Sequence, residues 1–165
     1  MIDQTRSNSV IIERDFRAPP ETIWKLWTQP EHFAAWYGPE GSTVPVCTID
    51  LRVGGTRLLC MHVITPRGPM TMWFTGVYVE IVENRRLVYT ESMSDEHGNV
   101  LTAEQAGMPA GHPTSTEVQV DLRPSAAGTR MILTHLGIPT GSPGAIGWTM
   151  ALDRLSALID AKTAQ

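Results

Sequence analysis

Near its C-terminus the chain carries a narrow apolar stripe of the kind that only a helix presents to a single partner. Trp148, Leu152, Leu155 and Ile159 recur at i, i+4, i+7 and i+11. Ser142 offers a natural N-cap, and Pro143 fits the first helical position, where a missing N–H costs nothing. Almost everything between residues 43 and 136 reads instead as strand. One long helix closing a mostly antiparallel sheet makes a helix-and-sheet sandwich, in the α+β class. A sandwich of this kind can hold a cavity.

The chain before that helix is punctuated clearly. Residues 1–7 are polar and read as a flexible tail. Ser9 to Phe16 alternates as a first strand, with Val10, Ile12 and Arg14 on one face, until Ala18-Pro19-Pro20 breaks it. Glu21 to Thr28 forms a short helix, and Pro30 restarts a second one through Trp36, ended by Tyr37-Gly38-Pro39. Strands follow over Val44 to Arg52, Arg57 to Ile64, Met70 to Val82 and Arg86 to Met93. Gly76 interrupts the longest of these and reads as a bulge or bend. Residues 94–114 are a polar, turn-rich insertion, and loops of that length in compact domains often serve as lids or binding segments. Thr116 to Arg123 and Thr129 to His135 form the last hairpin.

With 165 residues, no repeat and no second composition regime, residues 1–165 read as one domain. A formal charge of -4 shows no basic excess, so nucleic acid is not an expected partner. No apolar run approaches the roughly 20 residues of a membrane span. The N-terminus lacks a signal-peptide profile, which makes the cytoplasm the expected compartment. Cys47 and Cys60 fall opposite or nearly opposite each other on a hairpin and are expected as buried free thiols.

Four stretches then carry a family resemblance. These are Phe16-Arg17-Ala18-Pro19-Pro20-Glu21-Thr22-Ile23-Trp24 with Trp36-Tyr37-Gly38-Pro39, and Gly54-Gly55 followed by Met61. Phe74-Thr75-Gly76-Val77-Tyr78 with Arg86-Leu87-Val88-Tyr89-Thr90, and Gly147-Trp148, complete the set. In this order they resemble the START-like, polyketide cyclase/Bet v 1-like (SRPBCC) superfamily. Within it they look like the bacterial branch named after the C-terminal domain of the activator of Hsp90 ATPase. The resemblance implies a helix-grip fold, with a curved antiparallel sheet wrapped on the long C-terminal helix and two short helices after the first strand. It also implies an internal cavity, since relatives bind lipids, sterols, hormones or polyketides and a few catalyse cyclisation or dehydration. The eukaryotic activator has an additional N-terminal domain for much of its chaperone contact, for which these residues leave no room.

Strand parity nominates the residues of such a cavity. Met131, Leu133 and His135 share a face, as do Val118, Val120 and Leu122 on the paired strand. Leu59 and Met61 fall opposite Met72 and Phe74, and Tyr78, Tyr89 and Glu91 continue that face. The competing inward set on the long strand is Trp73, Val77 and Val79, because both faces there are apolar. The expected lining is therefore Leu59, Met61, Met72, Phe74, Tyr78, Tyr89, Leu133 and His135. Trp36 lies near one mouth, and Met150 and Leu155 come from the final helix. His135 and Glu91 are the candidates for acid–base chemistry if both face inward. Arg57 either anchors an anionic group or pairs with Asp50 across the hairpin.

Asp95, Glu96, His97 and His112 match no metal-ligand spacing, and neither a metal nor a cofactor is expected. The leading expectation is binding of a small hydrophobic molecule without membrane insertion. The alternatives are a cavity enzyme of the polyketide cyclase/dehydratase type and a stress-related or chaperone-associated interaction protein, with a homodimer possible in the last case. Enzymatic activity is the less favoured reading.

Overall fold

The computed structural model describes residues 9–163, so the expected tail at 1–7 lies outside the described residues. Strand β1 (Ser9–Phe16) is followed by helices α1 (Pro20–Thr28) and α2 (Pro30–Ala34). Strands β2 (Thr43–Ile49), β3 (Thr56–Thr65), β4 (Gly68–Val82) and β5 (Arg86–Ser94) form a meander. Past the insertion come β6 (Thr116–Ser125), β7 (Gly128–Leu136) and helix α3 (Pro143–Thr163). The seven strands make one curved antiparallel sheet in the order β1-β7-β6-β5-β4-β3-β2. The first strand thus pairs with the last, Ser9 opposite Leu136 and Phe16 opposite Thr129.

The concave face grips α3. Ser142 caps that helix as its sequence implies, its Oγ accepting from the Ala145 N–H at 3.3 Å. Leu152, Leu155 and Ile159 are buried against Val118, Val120, Leu122, Met131 and Leu133 of the sheet. Each such side chain contributes roughly 1.5–3 kcal/mol by leaving water. Arg14, inward-facing on edge strand β1, reaches Asp153 of α3 at 2.7 Å.

Helix α2 is shorter than its pattern suggested. It ends at Ala34, and Trp36 and Tyr37 follow in a turn that Gly38 reverses at φ +93°. What stops it is packing: Trp36 donates its Nε1–H to the Leu26 carbonyl at 2.8 Å and meets Trp27 edge-on at 4.8 Å between ring centres. Arg154 of α3 then locks this turn. Its guanidinium donates to the carbonyls of Tyr37, Gly38 and Pro39 and to Ser42 Oγ, all at 3.1–3.2 Å.

Register settles the two-faced strand. Leu59 pairs with Phe74 and Met61 with Met72, and Phe74 and Tyr78 are buried while Val77 and Val79 are exposed. The bulge lies between Tyr78 and Glu80, not at Gly76. Gly76 is required for another reason, because a Cβ there would run into the Thr90 carbonyl of β5. On the first hairpin Cys60 pairs with Val46 and Cys47 with Leu59, so the two free thiols point to opposite faces. Asp50 pairs with Arg52 at 2.8 Å rather than with Arg57, whose side chain turns inward and is buried.

Candidate functional site: a half-hollow grip with a polar floor

The concave face is filled at one end and open at the other. The open end encloses a cavity of about 550 Å³, within the usual range of small-molecule sites. Its walls come from three sources. Met61, Met72, Phe74 and Met93 project from β3, β4 and β5. Trp148, Met150 and Ala151 of α3 and Ile138 before it close one side, with Tyr37 and Gly38 at the end. The third wall is the 94–114 insertion, which lays Leu101, Ala103, Ala106 and Met108 over the opening. Five of the eight methionines in the chain line this space, and soft thioethers tolerate occupants of different shape.

The insertion is held as a formed loop. Asp95 accepts from the N–H groups of His97 and Asn99 and from Asn99 Nδ2, at 2.8–2.9 Å, which closes the first turn. The Leu101 N–H then returns to the Met93 carbonyl at 2.9 Å, and Thr102 and Gln105 cap each other. These contacts spend the Asp95 carboxylate within its own turn.

A polar row crosses the inner face of the sheet. Arg57 pairs with Gly76, the register of β4 on β5 puts Gly76 beside Glu91, and Glu91 pairs with Thr116. His135 is next to Thr116, 2.7 Å away between Nε2 and Oγ1. The hydrogen bonds at this end fix every proton. Trp148 Nε1–H can only donate, and it does so to His135 Nδ1 at 2.8 Å. The imidazole proton is therefore on Nε2, from which it is donated to Thr116 Oγ1, and the Thr116 hydroxyl donates to the Glu91 carbonyl at 3.2 Å. Burial pushes the His135 pKa below its ordinary value, and the nearby Glu91 charge offsets only part of this. A neutral imidazole with both nitrogens engaged is a strut between sheet and helix.

The other end of the row is charged. Arg57 is 2% exposed, and among the described residues no carboxylate stands at ion-pair distance from it. Its guanidinium lies 3.9 Å above the Tyr89 ring and 5.3 Å from that of Phe33, contacts that can return about 2 kcal/mol when dry. Burial opposes its charge, yet Tyr89, Tyr78, Glu91 and Tyr37 together outweigh burial and raise its pKa. Burial raises the pKa values of Tyr37, Tyr78 and Tyr89 as well, so all three are neutral phenols. Three buried atoms here have no hydrogen-bond partner among the described residues: Arg57 Nε, Tyr89 Oη and Glu91 Oε2.

The structure sorts the residues nominated from sequence into two groups. Met61, Met72, Phe74, Glu91, His135 and Met150 reach the cavity wall, and His135 and Glu91 share that space. Leu59, Tyr78, Tyr89, Leu133 and Leu155 do not reach it; they face inward but lie in the filled half of the grip. Trp36 is likewise off the wall, fully buried among Trp27, Phe33 and Tyr37 instead of standing at a mouth. Strand parity puts Leu59, Tyr78, Tyr89 and Leu133 on the inner face, where they are buried, but it cannot say where along a strand the filling stops. Wall residues not nominated from the sequence include Tyr37, Met93, Leu101, Met108 and Ile138. The signal for two of them was present: Leu101 and Met108 are large apolar residues inside an otherwise polar insertion.

A curved antiparallel sheet closed on one C-terminal helix, with a cavity at one end of the grip, defines the helix-grip class of START-like and Bet v 1-like domains. The chain belongs to the family described as Activator of Hsp90 ATPase homolog 1-like protein, whose model matches residues 17–160. No functionally curated protein matches it. Among solved structures it is similar to protein CV1439 from Chromobacterium violaceum, at 26% identity and a TM-score of 0.74 over 92% of this chain and 97% of that one. It is also similar to protein NE0264 from Nitrosomonas europaea, at 22% identity and 0.72, covering 99% and 100%. The AHSA1 protein SPO3351 from Silicibacter pomeroyi shares 21% identity at 0.69, covering 93% and 99%. The last two, under a quarter identical, speak for the fold alone. No helix among the described residues is long and apolar enough to cross a membrane.

Proposed function

We propose that this protein binds a small apolar molecule in the cavity between α3, the sheet and the 94–114 insertion. The observation that carries the reading is the cavity itself, about 550 Å³ with five methionines on its walls, in a chain whose other half is tightly filled. An insertion that turns Leu101, Ala103, Ala106 and Met108 toward the space supports a lid role. Turnover by a His135–Glu91 pair is the weaker reading, because His135 has no free nitrogen with which to move a proton.

Native mass spectrometry of protein taken from cells, with thermal unfolding against a panel of apolar compounds, tests the proposal. A ligand at a hundred times its Kd should stabilise the fold by about 2.7 kcal/mol. A panel that leaves the unfolding temperature unmoved, with no co-purified mass, overturns it.

A further inference from the structure

We propose that the cavity selects an apolar molecule bearing a single hydrogen-bond donor, an alcohol or phenol, which it meets at Glu91, and that it discriminates against carboxylates. This rests on the binding reading above and adds the polar chemistry of its occupant.

Two of the polar groups on the fixed walls are already engaged. His135 and Thr116 are consumed by the chain from Trp148 to the Glu91 carbonyl. The Glu91 side chain takes no part in that chain; it stands on the cavity wall, and its buried Oε2 has no hydrogen-bond partner among the described residues. A carboxylate is an acceptor only, so what satisfies it must donate. Tyr37 stands on the same wall, and burial together with the Glu91 charge keeps its phenol protonated. A hydroxyl can donate to Glu91 and accept from Tyr37. A carboxylate ligand can do only the second, and it would bring like charge against Glu91 in a wall of low polarity.

Arg57 does not reverse this preference. It is absent from the cavity wall and lies beneath the floor, covered by Tyr89 and Phe33, so an entering anion meets Glu91 and not the guanidinium. The remaining polar side chains are Ser92 of β5, which is buried, and on the insertion Thr102, His112 and Thr114, of which Thr102 Oγ1 already accepts from the Gln105 N–H. Every other large side chain on the fixed walls is a methionine, an aromatic or an aliphatic one.

Three probes of one shape separate the possibilities: naphthalene, 2-naphthol and 2-naphthoate, titrated at neutral pH against the whole chain. A hydrogen bond to a charged acceptor predicts that naphthol binds about tenfold or more tighter than naphthalene, with naphthoate weakest. Glu91→Leu should bring the ratio of naphthol to naphthalene affinity close to one. Glu91→Gln, which keeps the shape should the leucine variant fold poorly, should reduce the ratio several-fold. Naphthoate binding as tightly as naphthol overturns the proposal, as does a ratio that survives both substitutions. If naphthalene binds and naphthol gains nothing, the donor preference falls while the cavity reading stands. If none of the three binds, the cavity reading falls and takes this proposal with it.

Discussion

The two ends of the concave face are built from the same strands and the same helix, yet one is solid and the other hollow. The difference is in side-chain volume along α3. Its C-terminal half sends Leu152, Leu155 and Ile159 into the sheet, all nearly or fully buried. Its N-terminal half presents the small Gly147 and Ala151 beside Trp148, whose Nε1–H meets His135 at the border, while Met150 edges the open space. On the sheet, Tyr78, Tyr89, Leu87 and Leu133 fill the first end, and Met72, Met93 and Met61 edge the second. Glu91, Thr116 and His135 mark the border. Polar groups bound the space on one side and the 94–114 insertion on the other.

The contrast can be broken most sharply by truncation. Leu155→Ala at the solid end should cost about 2–5 kcal/mol, while Met72→Ala on the cavity wall should cost about 1 kcal/mol, since it enlarges a space that already exists. Denaturant unfolding of both variants measures this, and equal losses would mean that the two ends are packed alike.

Acid tests the border. His135 is buried in the neutral form, and its folded pKa lies below the ordinary value of 6.5. The unfolded chain therefore takes up the proton first. Stability is complete above that value and falls as pH drops below it, with a slope of at most about 1.4 kcal/mol per pH unit. His135→Gln should be less stable at neutral pH but should lose that part of the acid slope. Unfolding curves collected between pH 4.5 and 7.5 would show it, and an unchanged slope would assign the acid sensitivity to other groups.

The smallest effect is expected at the lid. Leu101→Ser should change global stability by about 0.5 kcal/mol or less, since the insertion contributes little to the core. It should instead speed amide exchange across residues 94–114 and shorten ligand residence. A large global loss there would make the insertion part of the core.

The architecture was readable from sequence because its signals were local. Ser142-Pro143 starts α3 where the pattern places it, and proline and glycine clusters separate the strands. Even the inward face of β4 was correctly favoured, through the pairing of Leu59 and Met61 with Phe74 and Met72. The site was only partly legible, for reasons that are not local. Tyr78, Tyr89 and Leu133 share a face with Met61 and Met72, and only the tilt of the strands across α3 decides which of them meet solid packing. Arg57 shows the same limit. Strand parity puts it on the inner face with Leu59 and Met61, but the rings of Tyr89 and Phe33 that pack on its guanidinium come from distant parts of the chain. The 94–114 insertion looks like a solvated loop by composition, yet Leu101 and Met108 within it face the cavity while Val100 is exposed.

The pairing of β1 with β7 has a consequence for how the molecule is made. Among the described residues the first strand of the sheet pairs with the last, and with no other. Strands β2 to β5 form a meander of neighbours and can zip up in order as they emerge. Strand β1, with α1 and α2 behind it, must wait for nearly the whole chain. Contacts of such sequence separation carry the largest loop-closure cost and come late in folding. The last acts of assembly are therefore the docking of β1 on β7 and the seating of α3 in the grip. The cavity is enclosed only at that step, when the first and last strands of the sheet meet.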